Sequence, residues 1–163
     1  MILDIYNQPK NIYIMKKITL IFFALMLGVI ISAKAQTATD TTAIKETVMN
    51  YIEGFYTADA ARMEKALYYD LAKRYVTPER DGRNGVQHMS AMLLYQVTKM
   101  QKDNTAEHGK LKCDIVISEI YGHVAIVRAE TDFFTFVDFI QLGKINGEWK
   151  IINVIWERKP IKE

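Results

Sequence analysis

Apolar and polar positions change period part-way along this chain, and the change divides it into a helical part and a strand part. Ile44, Val48, Tyr51, Ile52 and Phe55 recur at i, i+4, i+7, i+8 and i+11, which is the buried stripe of an amphipathic helix. Gly54 and Thr57-Ala58-Asp59 interrupt it, and Asp59 is a suitable N-cap for a second short helix through Ala60, Met63, Ala66 and Leu67. The pattern from Tyr68 to Val76 fits neither period, and Thr77 to Gly85 reads as a loop rich in Pro, Gly, Asn and charge. A third helix is expected from near Val86, with Met89, Met92, Leu93, Gln96, Val97 and Met100 on one face, ending before Asp103.

Beyond that point the period falls to two and Val, Ile, Phe and Thr dominate, the composition of a pleated, half-buried surface. Leu111 to Ile120 and Val124 to Thr131 flank Tyr121-Gly122-His123, where Gly122 can take the positive φ of a tight hairpin turn. Phe133 to Ile145 and Glu148 to Arg158 flank Asn146-Gly147, a strong hairpin signal. One face of the third strand carries Phe134, Phe136, Asp138 and Ile140, the other Phe133, Thr135, Val137 and Phe139. In the last strand, strict alternation puts Ile151 and Ile155 on one side and Ile152, Val154 and Trp156 on the other. Both faces of the sheet are therefore apolar, which predicts that one covers the helices and the other meets a second copy of the chain in a homodimer.

The N-terminal end has a different logic. Met15-Lys16-Lys17, an apolar stretch from Ile18 to Ile31, and Ala33-x-Ala35 form the three parts of a secretory signal peptide, with cleavage expected between Ala35 and Gln36. The apolar stretch is shorter than the ~20 residues a bilayer span needs. The polar residues 1–14 precede a complete signal and read as an upstream extension, with Met15 the expected start. The expected organisation is thus extension 1–14, signal 15–35, linker 36–43 and one domain over 44–163, the product being exported to a periplasm or secreted. From Gln36 onward there are 17 Lys plus Arg against 18 Asp plus Glu, a net charge of −1, so the basic footprint of a nucleic-acid binder is missing. A lone cysteine, Cys113, allows no intrachain disulfide, and no Cys/His spacing forms a zinc site. Phosphate-binding glycine loops and nucleophile elbows are absent as well, so no cofactor and no metal are implied.

Helices followed by a sheet of two hairpins, in one domain of this size, resemble the nuclear transport factor 2-like superfamily, which includes ketosteroid isomerases and SnoaL-like polyketide cyclases. Two stretches, Ile44 to Leu67 and Val137 to Trp156, are similar to the exported bacterial group called putative lumazine-binding proteins. The resemblance implies an α+β cone in which three N-terminal helices pack on a curved antiparallel sheet, with an apolar cavity between sheet and helices.

Within such a cavity the candidate for chemistry is Asp138, because a carboxylate beside Phe134 and Phe136 is favoured in its neutral form by desolvation, as a general base or neutral donor requires. His88, at the expected start of the third helix, is a second candidate acid or base. Tyr56, Tyr95, Phe134, Phe136, Asn153 and Trp156 are the expected ligand contacts. Three functions follow: a binder of a small apolar or aromatic ligand; an isomerase- or cyclase-type enzyme using Asp138 or His88; or a homodimeric interaction module.

Overall fold

The computed structural model describes residues 16–17, 38–80 and 83–159. The upstream extension, nearly all of the signal segment and its expected cleavage point lie outside the described residues. The chain divides into two units, residues 1–40 and 41–163, and every element from Thr41 onward belongs to the second.

Helix α1 is described over 38–56, so the stretch read as a linker is helical from residue 38. Residues 38–42 are small or polar and carry no apolar stripe to mark them as helical. Further along, Ile44, Val48, Tyr51 and Ile52 are buried as the periodicity predicts. Gly54 does not interrupt α1. It is the point of closest approach to α2 (Ala60–Ala66), since a Cβ there would lie 2.9 Å from the backbone nitrogen of Met63. Ala58, at φ 58°, makes the turn between the two helices, and Asp59 caps α2 by accepting a hydrogen bond from Arg62 N at 2.9 Å.

The segment that fitted neither period is a strand hairpin. β1 (Leu67–Arg80) and β2 (Arg83–Ser90) pair antiparallel, with Lys73 opposite Met89 and Arg74 opposite His88. This corrects two expectations, the loop from Thr77 and the helix from Val86. Thr77 Oγ1 is bonded to both Gly85 N and Gly85 O, so the loop-forming composition sits inside a paired ladder. α3 (Ala91–Lys99) begins where Ser90 Oγ accepts from Leu93 N at 3.2 Å. Its buried face is also not the expected one. Leu94 and Thr98 point inward while Met92, Leu93 and Met100 are exposed; the Thr98 hydroxyl is satisfied by the Leu94 carbonyl at 2.8 Å, so a polar residue fits in the core. A single-turn helix, α4 (Thr105–His108), follows.

β3 (Cys113–Tyr121) and β4 (Val124–Thr131) turn at Gly122, φ 55°. β5 (Phe136–Ile145) and β6 (Glu148–Arg158) turn at Asn146 and Gly147, φ 51° and 87°, the two positive values of a type I′ turn. Among the described residues these strands form one six-stranded sheet in the order β2-β1-β6-β5-β4-β3. Its pairs are antiparallel except β1–β6, which are parallel, so the sheet is mixed rather than uniformly antiparallel.

A bulge in β6 changes the face of several residues. Gln141 pairs with Asn153 and Leu142 with Ile151, leaving Ile152 as the extra residue. Alternation is reset there, so Trp149, Ile151 and Val154 are all buried in one core, with Trp156 packed against it, and Ile155 is exposed. Strict alternation had put Ile151 with Ile155. The core joins these residues to Ile44, Val48 and Ile52 of α1 and to Val127, Ile140 and Leu142 of the sheet.

Candidate functional site

Between α1, α3 and the inner face of the sheet lies a cavity of about 160 Å³, close in size to the ~150 Å³ engineered cavity that admits benzene. Helix α1 contributes Tyr51, Ile52 and Phe55, and α3 contributes Leu94 and Val97. The sheet adds Lys73, Ala129, Phe136, Asp138 and Trp156, and Phe134 closes one side from the connection ahead of β5. Five of the lining side chains are rings, the rest of the wall is mainly aliphatic, and Glu130 and Thr131 add polar groups at its edge. Phe134 and Phe136 are stacked, with centroids 5.0 Å apart and planes at 15°, and Trp156 sits 5.3 Å from Phe136.

Three polar side chains meet in this apolar setting. Lys73 is 8% exposed, Asp138 1% and Tyr51 3%. Lys73 Nζ lies 3.3 Å from Asp138 Oδ1, Tyr51 OH donates to Asp138 Oδ2 at 3.1 Å, and Lys73 Nζ donates to Tyr51 OH. The elements explain how they meet. Alternation on β1 turns Leu71 and Lys73 inward, while on β5 it turns Asp138 and Ile140 inward. β6 lies between these strands, so the two Cα atoms are about two strand spacings, roughly 10 Å, apart. The lysine stem spans that gap over Trp156, whose ring centroid is 5.4 Å from Nζ; the rings of Tyr51 and Phe136 lie at 5.0 and 5.3 Å. The cation therefore has a counter-ion, a phenol and three aromatic faces around it.

Burial, then the Asp138 charge, then the hydrogen bond to it raise the Tyr51 phenol well above its ordinary range, so Tyr51 stays a neutral O–H donor. An ammonium has three N–H donors, and the protein supplies oxygen partners for two of them. These contacts leave one donor on Lys73 and further lone pairs on Asp138 unused. Among the described residues every buried side-chain polar atom has at least one partner.

The structure brings together Asp138, Phe134, Phe136 and Trp156, and separates the other expected site residues from them. His88 is exposed on β2, in a strand and not at a helix start. Tyr56 lines a different groove, beside Arg62 and Lys110, where its hydroxyl donates to Gly109 O at 2.8 Å. Tyr95 is half-buried on α3, off the cavity that its neighbour Leu94 lines. Asn153 turns away because of the bulge at Ile152 and donates to Gln141 Oε1 at 3.1 Å on the opposite face. Lys73 had no signal in the sequence, since an inward lysine is what makes the β1 pattern unreadable. Tyr51 was legible as buried, but its hydroxyl partner 87 positions away was not.

Among the described residues no helix is long and apolar enough to cross a membrane, and no His, Cys, Asp and Glu cluster is arranged to hold a metal. Cys113 is free and half-buried; burial, with nearby carboxylates, pushes its thiol up to about 12.

Helices on one face of a mixed six-stranded sheet, with an aromatic cavity between, define a protein of the nuclear transport factor 2-like fold. A nuclear transport factor 2-like protein of unknown function from Silicibacter pomeroyi superposes with a TM-score of 0.60 at 18% identity, covering 76% of this chain and 98% of that one. Another, from Shewanella baltica, gives 0.58 at 24% identity, covering 76% and 97%. A third, from Streptomyces avermitilis, described as a "putative dehydratase" of this fold family, gives 0.51 at 11% identity, covering 77% and 99%. No curated protein matches the sequence. Residues 39–157 match the family described as "Putative lumazine-binding", and the chain belongs to that family.

Proposed function

We propose that this protein binds one small, flat, largely apolar molecule of one or two rings in the aromatic cavity, held at its polar edge by Lys73, Asp138 and Tyr51. The buried polar cluster inside a mostly apolar cavity carries this reading, since a pocket of this make-up orients its guest through a few fixed polar groups. The cluster offers a donor and an acceptor side by side, which suits a ring bearing a carbonyl next to an N–H or O–H. Lumazine, the molecule in the family's description, is a fused bicyclic ring with such an edge and is the first compound to test.

The test is a calorimetric titration of lumazine, alongside naphthalene-like compounds lacking the polar edge, into wild type, Asp138→Asn and Trp156→Ala. Saturable binding weakened about tenfold or more by Asp138→Asn, the cost of one lost charge-assisted hydrogen bond, supports the reading. Equal heats for all three proteins remove it. An isomerase- or cyclase-type enzyme is the weaker alternative, because His88 is outside the cavity and Asp138 is already engaged by Lys73 and Tyr51.

The outer face of the sheet favours a second, compatible reading. Phe139, Ile155, Ile126 and Val116 are about half exposed there, and Phe139 stands beside Ile155 in the ladder. We carry forward the homodimer through this face, with sedimentation equilibrium as its measure: wild type runs as a dimer and Phe139→Asp as a monomer. A wild type that stays monomeric at micromolar concentration excludes it. Export is proposed on the signal segment, and a mature N-terminus at Gln36 by mass spectrometry is its expected signature.

A further inference from the structure

Lys73 is, among the described residues, the one buried lysine, and ligand anchoring alone leaves part of its chemistry unused. A primary amine and a carboxylate 3.3 Å apart in an apolar cavity can exchange a proton without moving net charge in or out. That exchange exposes the amine lone pair toward the guest space. We propose that Lys73 reversibly captures the carbonyl carbon of a small aromatic aldehyde as an imine, so that the cavity is a carbonyl-ligand site; the inference rests on the ligand-binding reading of this same cavity.

The step balances within the residues present. Asp138 takes one proton from the Lys73 ammonium, and the neutral amine adds to the carbonyl carbon; the C=O π bond opens as the C–N bond forms, and one N–H proton passes to the oxygen to give a carbinolamine. The carbinolamine oxygen leaves as water with the proton returned by Asp138, and the nitrogen becomes a protonated imine. One water is produced, no electrons are gained or lost, and the positive charge is restored at Nζ in the imine. There it is best held, beside the Asp138 carboxylate and within 5.0–5.4 Å of three ring centroids. Tyr51, donating to Asp138 Oδ2 and accepting from Lys73, fixes both groups while the carbonyl oxygen changes partners. An aryl ring attached to the captured carbon has the Phe134–Phe136 stack beside it.

The experiment incubates the protein with benzaldehyde and cyanoborohydride, which fixes imines as benzylamines, and maps the label by intact mass and peptide mass spectrometry. In parallel, benzyl alcohol, which has the same ring and no carbonyl, is titrated and followed by thermal shift. The expected result is one benzyl group on Lys73, acquired about tenfold or more faster than on any exposed lysine through proximity in the cavity. Lys73→Arg keeps a cation facing Asp138 but cannot form an imine; it melts cooperatively and loses that label. Asp138→Asn slows it. Benzyl alcohol binding with label spread over exposed lysines overturns the carbonyl inference and leaves the binding reading standing. Neither binding nor label at Lys73 overturns both.

Discussion

Replacing Lys73 with methionine keeps most of the side-chain volume and deletes the charge, leaving Asp138, 1% exposed, with Tyr51 as its remaining partner. A buried carboxylate that loses its cation is destabilising by about 3–5 kcal/mol, a large part of the ~5–15 kcal/mol total of an ordinary domain. With a urea m-value of about 1–3 kcal/mol/M, the unfolding midpoint of Lys73→Met is expected to fall by roughly 2 M. The double variant Lys73→Met/Asp138→Leu replaces both charges with apolar groups, an exchange that is often neutral or stabilising. It is expected to recover to within about 1 kcal/mol of wild type, giving a favourable coupling of a few kcal/mol in the cycle. The assay is equilibrium urea unfolding of the four proteins followed by tryptophan fluorescence, with m-values compared to confirm a common unfolded reference. A single variant within about 1 kcal/mol of wild type would refute the reasoning, because it would mean the Asp138 charge is served by water and the pair is not desolvated.

Three further outcomes are expected. Gly54→Ala gains up to ~1 kcal/mol in helix propensity, but its Cβ meets Met63 backbone at 2.9 Å; a net loss of about 1–3 kcal/mol from this overpacking should appear in thermal unfolding, and a rise in stability would contradict the close packing of α1 and α2. Tyr51 holds its proton in the folded state past the pH at which an unfolded tyrosine, near ~10, releases it. Its contribution is complete below that pH and lost as pH rises above it, so wild-type stability should fall more steeply than that of Tyr51→Phe in alkaline urea melts; parallel curves would argue against a buried phenol. With its thiol at about 12, against an ordinary ~8.5, Cys113 should alkylate with iodoacetamide on the order of a thousandfold more slowly in the native state than in urea at pH 8, and comparable rates would place it in solvent.

The parts of the fold legible from sequence were those set by local chemistry. Asp59 as an N-cap, the positive φ at Gly122 and the Asn146-Gly147 turn each follow from a few adjacent residues. The β1–β2 hairpin was not legible. Its inward position at Lys73 is polar, and its outward positions include Val76 and Val86, both exposed, which inverts the usual alternation. The bulge at Ile152 was invisible for another reason: it depends on register with Gln141 and Leu142 of β5, and nothing within β6 marks it. Asp138 could be placed beside Phe136 because β5 alternates without a break on its inner face, whereas Asn153 and Ile155 were assigned across the bulge and came out on the wrong side.

The same contrast bears on what the polar cluster is for. A core built of apolar residues at positions 51, 73 and 138 is expected to be about as stable as the observed one, since a buried ion pair gains little over its own desolvation. Satisfaction of buried polar atoms does not explain the cluster either, because the need for partners disappears when all three positions are apolar. What the three residues do achieve is to set a donor, an acceptor and a shielded cation at one point of a mostly apolar cavity with several aromatic walls. That arrangement is what the proposed binding of a guest with a polar edge rests on. The argument applies to Lys73 above all: it enters from β1, crosses β6 and ends at β5, so the hairpin least visible in the sequence is the one that delivers the cation to the site.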